Sequence, residues 1–144
     1  RDQRVQLVTQ VDPPDLVVRG DESRLEQAVQ NLAANAIRHT PSAGHITLRA
    51  RVIADQVQGE QVEISIEDTG PGVPDEHLGR VFDRFYKADA SRTGTATPSG
   101  SGLGLSIVRA IVTRHGGTVA VENVPGAGAR FTLRLPRRQE VAEA

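Results

Sequence analysis

Two pairs of strand-like runs, each folded back at a glycine-bearing turn, exclude most folds open to this chain. The first pair is HITLRARVIAD (45–55) and EQVEISIED (60–68), with the turn near Gly59. The second is TVAVEN and ARFTLRLP, joined by VPGAG. Hairpins pair antiparallel, so a doubly wound parallel sheet is disfavoured. In the first pair Val62, Ile64 and Ile66 share one face at a period of two, the pattern of a half-buried strand. Two further runs, VQLVTQV (5–11) and DLVVRG (15–20), read as strands around a Pro-Pro break.

Between these strands lie helices. Leu25, Ala28, Val29, Leu32, Ala33, Ala36 and Ile37 follow the i, i+3, i+4, i+7 rule. Asp21 or Ser23 can cap this helix, with Glu26 three residues after Ser23 as in a capping box. Pro41 stops it near His39. Residues 75–85 read as one or two short helical turns. A second helix runs from about Leu103 to Arg114, closed by HGG, where glycine takes the left-handed cap. The order predicts an α+β fold: a two-layer α/β sandwich whose mixed, mostly antiparallel sheet is covered on one face by about three helices.

A chain of 144 residues is one domain with room for a single core. Four aromatics leave that core to aliphatic packing. A net charge of −1 argues against a nucleic-acid partner, and the lack of cysteine excludes disulfides and thiolate metal sites. No apolar run approaches the ~18 residues of a membrane span. The first residue is Arg1, and the expectation is a piece of a longer protein.

Four stretches carry possible chemistry. In NLAANAIRH (31–39), Arg24, Asn31, Asn35 and Arg38 fall within an arc of roughly 60° at about 100° per residue, opposite the apolar face. They form either a solvated stripe or, through two amide oxygens one turn apart, a seat for a hard cation such as Mg²⁺ bound to phosphates. In IEDTGPG (66–72), Asp68 shares the parity of Ile64 and Ile66, which directs it inward. It either caps a turn through an Asx bond or forms the floor of a pocket walled by the backbone of Gly70 and Gly72. There it would accept from an exocyclic amine such as that of adenine, whereas guanine presents a carbonyl. In RVFDRFYKADASR (80–92), Phe82, Phe85 and Tyr86 anchor a loop, and Arg84, Lys87 and Arg92 are either surface charges or phosphate contacts. Finally, SGSGLGLSIV (99–108) places Gly100, Gly102 and Gly104 at the mouth of a helix. Each glycine costs roughly 1 kcal/mol inside a helix. Bare backbone N–H groups at a helix N-terminus suit an anion, and glycines suit a hinge. The stretch is thus a phosphate cradle that moves, or a plain linker.

Together these stretches resemble the catalytic, ATP-binding domain of two-component sensor histidine kinases, over roughly residues 3–136. NLAANAIRHT looks like the N box, DTGPGVP the first glycine box, RVFDRFYKADASR the F box, GSGLGLSIV the second glycine box, and GAGARF is similar to a third. The resemblance implies a Bergerat-type fold and ATP and Mg²⁺ as ligands. By position, Asn35 would hold Mg²⁺ with Asn31 assisting, and Arg38 and His39 would lie near the phosphates. Asp68 would bind the adenine amine beside Gly70 and Gly72. Arg84, Lys87 and Arg92 would reach phosphates from a lid at about 86–102, which is expected to be poorly ordered over 88–100 without nucleotide. Gly100, Gly102, Leu103 and Gly104 would hinge it and meet the phosphates. Ala129 stands where many relatives have Thr near the adenine.

Related gyrase-type and chaperone ATPases carry Glu where Asn31 stands, to activate water; an amide takes no proton at neutral pH. The implied activity is therefore transfer of the γ-phosphoryl group to a histidine, with a stand-alone ATPase or a non-catalytic ATP sensor as alternatives. None of His39, His45, His77 and His115 has the family's acceptor context. The acceptor would lie on a separate dimerisation domain of the parent protein, and a response regulator would be the indirect partner. The parent would be a bacterial membrane-anchored homodimer with this domain in the cytoplasm, making no membrane contact itself. The tail, 137–144, is charged.

Overall fold

A computed structural model of the chain describes residues 5–41, 43–57, 59–83 and 104–137. The hairpins organise it. Strand β2 (His45–Asp55) pairs antiparallel with β3 (Gly59–Asp68), from Ile46 opposite Asp68 to Asp55 opposite Gly59. Strand β4 (Thr118–Asn123) pairs antiparallel with β5 (Ala129–Pro136), and β5 in turn lies antiparallel to β3. Strand β1 (Gln6–Asp12) adds parallel to β2, giving the sheet order β1-β2-β3-β5-β4. The sheet is thus mixed and mostly antiparallel, as the hairpins require.

The alternation read from sequence becomes a core. Val62 faces Leu135, Ile64 faces Leu133 and Ile66 faces Phe131 across the β3–β5 ladder. Onto this face α1 (Glu22–His39) sets Ala28, Leu32 and Ala36, and α2 (Gly104–Arg114) sets Val108, Ile111 and Val112. Phe82 closes the core edge-on to Phe131, with ring centroids 5.9 Å apart. α1 packs over β3 and α2 over β4 and β5. β1 lies beyond both, so Leu7 and Val11 stay 63% and 42% exposed although they point to the helical side.

Two expectations need correction. Residues 15–20 form no strand: the chain turns at Pro13 (Leu16 N–H to Pro13 C=O, 2.9 Å) and runs to α1 with no ladder partner, fixed by Val18 against the core. The described residues hold two α-helices rather than three. The segment after Pro74 makes only a 3₁₀ turn, Asp75–His77, and further turns to Asp83. Of the two cap candidates of α1, Asp21 is the one used, its carboxylate accepting from Arg24 N–H at 3.1 Å.

Both helix stops follow the sequence. Thr40 ends α1 by donating its hydroxyl to the Ala36 carbonyl at 2.6 Å, one residue before Pro41. After α2, Gly116 adopts φ +79°, and Gly117 N–H reaches the Val112 carbonyl at 2.9 Å, a Schellman closure. Among the described residues no helix is long and apolar enough to cross a membrane.

Among the described residues the opposite sheet face carries no helix, and its charges pair with one another. Glu63 sits between Arg51 and Arg134 on the two neighbouring strands, at 2.9 Å from each. Glu67 pairs with Arg130 at 3.1 Å, and Arg130 reaches Glu122 at 2.8 Å. Burial pushes the Glu63 carboxyl up, but hydrogen bonds and charge from Arg51 and Arg134 outweigh it and hold the pKa below the ordinary value. A carboxylate whose pKa falls on folding stabilises above its unfolded pKa and loses that contribution as pH falls through its folded pKa. Glu63→Gln is therefore expected to lower unfolding free energy by up to about 1 kcal/mol at neutral pH. The difference should close as acid protonates the wild-type carboxyl. Urea titrations across the acid range measure this; a deficit independent of pH would mean that the ion pairs are not its source.

Candidate functional site

The site begins at the last residue of β3. The strand's parity carries Asp68 to the core side, where it is only 3% exposed. A carboxylate there must find donors. Its Oδ1 accepts from Gly70 N–H at 2.8 Å and from Ala129 N–H at 3.3 Å. The first bond is the Asx turn and the burial is the pocket-floor geometry, so both readings of Asp68 hold together. Among the described residues Oδ2 accepts no hydrogen bond, and it is not sealed from the surface. It remains an acceptor ringed by backbone.

That ring requires glycine. A Cβ on Gly128 would overlap the Asp68 carboxylate, and one on Gly70 would overlap the backbone carbonyl of His39. Gly70 therefore joins two motifs, since it touches both the Asp68 carboxylate and the last residue of α1. Gly128 N–H also donates to the Asp68 carbonyl at 3.0 Å, which ties the start of β5 to the same point. Three further groups tether the glycine loop. Thr69 Oγ1 accepts from His45 N–H at 3.0 Å. Asn123 accepts from Val73 N–H at 2.8 Å and donates to its carbonyl at 2.7 Å. Gly72, at φ +84°, leaves room for that Asn123 side chain. Sequence reasoning passed over Asn123 and Thr69, whose only signal was a polar residue at the end of a strand. It placed Gly128 in a glycine box but not against the carboxylate.

The polar stripe of α1 is not opposite the core throughout. Asn35 is buried, 5% exposed, and Asn31 is half-buried where the start of α2 lies against it. Asn31 Nδ2 donates to the Gly104 carbonyl at 3.2 Å. Asn35 Oδ1 accepts from Arg38 Nη2 at 3.2 Å. These partners fix both amide orientations, because a carbonyl only accepts and a guanidinium only donates. Burial lowers the Arg38 pKa from its ordinary value.

The structure thus brings Asn31 to Gly104, and Asp68 and Gly70 to the end of α1, where Arg38 and the exposed His39 sit. Arg84, Lys87, Arg92, Gly100, Gly102 and Leu103, with the lid at 86–102, lie outside the described residues. Two surface cavities lie elsewhere: one beside Val18, Gly20 and Leu25, the other on the outer face over Thr118 and Arg130. Neither includes Asp68, Asn31 or Asn35. Among the described residues no group of three or more His, Asp or Glu side chains could hold a metal. The amide oxygens of Asn31 and Asn35 fit a hard cation already carried by phosphates, not one held by protein alone.

Known proteins agree with this arrangement. Residues 20–139 match the family described as histidine kinase-, DNA gyrase B-, and HSP90-like ATPase. The sensor histidine kinase WalK of Bacillus subtilis is 34% identical over 97% of this chain and 22% of its own length. The mycobacterial sensor histidine kinase MprB shares the fold with a TM-score of 0.76 and 33% identity, over 94% of this chain and 86% of that one. Full-length ShkA, in complex with AMPPNP, gives a TM-score of 0.74 at 33% identity, over 96% of this chain and 27% of that one. The chain spans 8% to 28% of the length of the curated relatives it matches. Matched over most of its length and sharing its sheet with kinase catalytic domains, the chain belongs to the histidine kinase-, DNA gyrase B- and HSP90-like ATPase family, and its relatives there are sensor histidine kinases.

Proposed function

We propose that this chain binds ATP with Mg²⁺ and presents the γ-phosphate to a histidine on a separate dimerisation domain of its parent protein, in two-component signalling. The observation that carries this reading is Asp68. A buried carboxylate keeps one oxygen for a ligand, in a backbone-walled setting one residue away from the helix that bears the amides. Oδ2 would accept from the 6-amino group of adenine. Asn31 and Asn35 would offer amide oxygens to the metal, which when bound would draw charge off the phosphates. Arg38 and His39, and beyond them Arg84, Lys87, Arg92, Gly100, Gly102, Leu103 and Gly104, would meet the phosphates. AMPPNP bound to the related ShkA supports nucleotide binding here.

Phosphoryl transfer rests on positioning and charge stabilisation, so the site needs no strong base. Asn31 supplies none: its amide nitrogen donates to Gly104 and its oxygen holds no proton at neutral pH. This favours transfer to an incoming nucleophile over steady hydrolysis. A response regulator would receive the phosphoryl group next. The parent would be a membrane-anchored sensor with this domain on the cytoplasmic side.

Asp68→Ala is expected to weaken ATP binding roughly ten- to a hundredfold, the range of one hydrogen bond to a charged group. Calorimetry measures it, and unchanged affinity would remove the adenine assignment. Asn35→Ala should abolish most of the gain in ATP affinity that Mg²⁺ confers, read as the ratio of affinities with Mg²⁺ and with EDTA. For the activity, the purified acceptor domain of the parent is incubated with this chain and labelled ATP. Acid-labile label on a histidine is expected; none on the acceptor, or rapid ATP turnover without it, would favour a sensor or a stand-alone ATPase instead.

A further inference from the structure

Asn35 has a single amide oxygen, and in this structure it is taken. Arg38 Nη2 donates to it at 3.2 Å from one turn further along α1. No carboxylate pairs with Arg38 among the described residues. Its guanidinium lies at the exposed end of the helix with a neutral amide as hydrogen-bond partner, a weaker match than an anion. We propose that Arg38 is a placeholder cation: it occupies the Asn35 oxygen in the nucleotide-free protein and releases it when metal–nucleotide enters. The inference rests on the reading of Asn35 as a metal ligand, and adds the competitor for that ligand.

The argument is electrostatic. Asn35 is 5% exposed while Arg38 stands at the surface, so charges meeting at the amide oxygen are screened from the solvent side only. A guanidinium and a divalent cation on one buried oxygen repel each other at twice the force of two unit charges. Phosphates bring the negative charge that Arg38 lacks, and a guanidinium prefers a phosphate oxygen to an amide one. The oxygen passes to the metal and the guanidinium to the phosphate, so neither is left bare at either end.

The test is calorimetry with AMPPNP, with Mg²⁺ and with EDTA on wild type, and with EDTA on Asn35→Ala, in which the guanidinium has no amide to leave. Without metal Asn35 makes no ligand contact, so freeing Arg38 for the phosphates should tighten Mg²⁺-free binding by up to roughly tenfold, the value of one charged hydrogen bond. Affinity equal to or below wild type overturns the inference. If wild type itself shows no gain from Mg²⁺, it is the metal reading of Asn35 that has failed. Side-chain ¹⁵N NMR of the unsubstituted chain gives a readout that needs no variant to bind ligand. The Arg38 guanidinium signal, identified by its loss in Arg38→Met, should move on adding Mg·AMPPNP and should already be shifted in nucleotide-free Asn35→Ala. A signal indifferent to both overturns the proposal.

Discussion

One buried carboxylate organises this molecule. Asp68 ends the central hairpin strand on the core side, and a charge placed there without donors would cost several kcal/mol. Two backbone N–H groups supply them, one from Gly70 just beyond the strand and one from Ala129 at the start of β5. The second bond couples Asp68 to a residue sixty-one positions later, so the last hairpin must close correctly before the carboxylate is satisfied. The same approach forbids a side chain at Gly128 and at Gly70. Fold and candidate site are here one constraint: both donors that make burial tolerable go to the same carboxylate oxygen.

A second constraint sets where α2 begins. The two helices run antiparallel and are pinned at both ends of α2. Asn31 holds the Gly104 carbonyl at one end. At the other, His115 accepts from the Asp21 N–H on Nε2 at 3.0 Å, while Nδ1 meets the Ile111 carbonyl at 2.9 Å. Both ring nitrogens are thereby assigned, Nδ1 as donor and Nε2 as acceptor. A Cβ on Gly20 would press on that ring, which is why the residue before the cap is glycine. The helix carrying the amides thus also determines the position of the helix that follows the second glycine box.

Where periodicity and turn chemistry agreed, the fold was legible. The alternation Val62–Ile64–Ile66 and the glycine turns predicted both hairpins, and Pro41 and HGG predicted both helix ends. Parity alone carried Asp68 inward. The failures have one kind of cause, which is tertiary context. DLVVRG has strand composition, but after Pro13 it had no strand to pair with. The α1 stripe could be read as solvent-facing because a helical wheel shows one helix and not its neighbour, and α2 meets that stripe at Asn31. Asn123 and Thr69 act through backbone groups distant in sequence, and no local pattern announces that.

The amide at position 31 does two things that a carboxylate could not do together. Its nitrogen donates to the Gly104 carbonyl, and its oxygen is left facing away from that bond. A glutamate in its place would set a lone pair against a lone pair at Gly104, and α2 would lose its pin at the end nearer Asn35. In this chain that one substitution would therefore cost the anchor of the helix that follows, whatever chemistry a carboxylate would bring there.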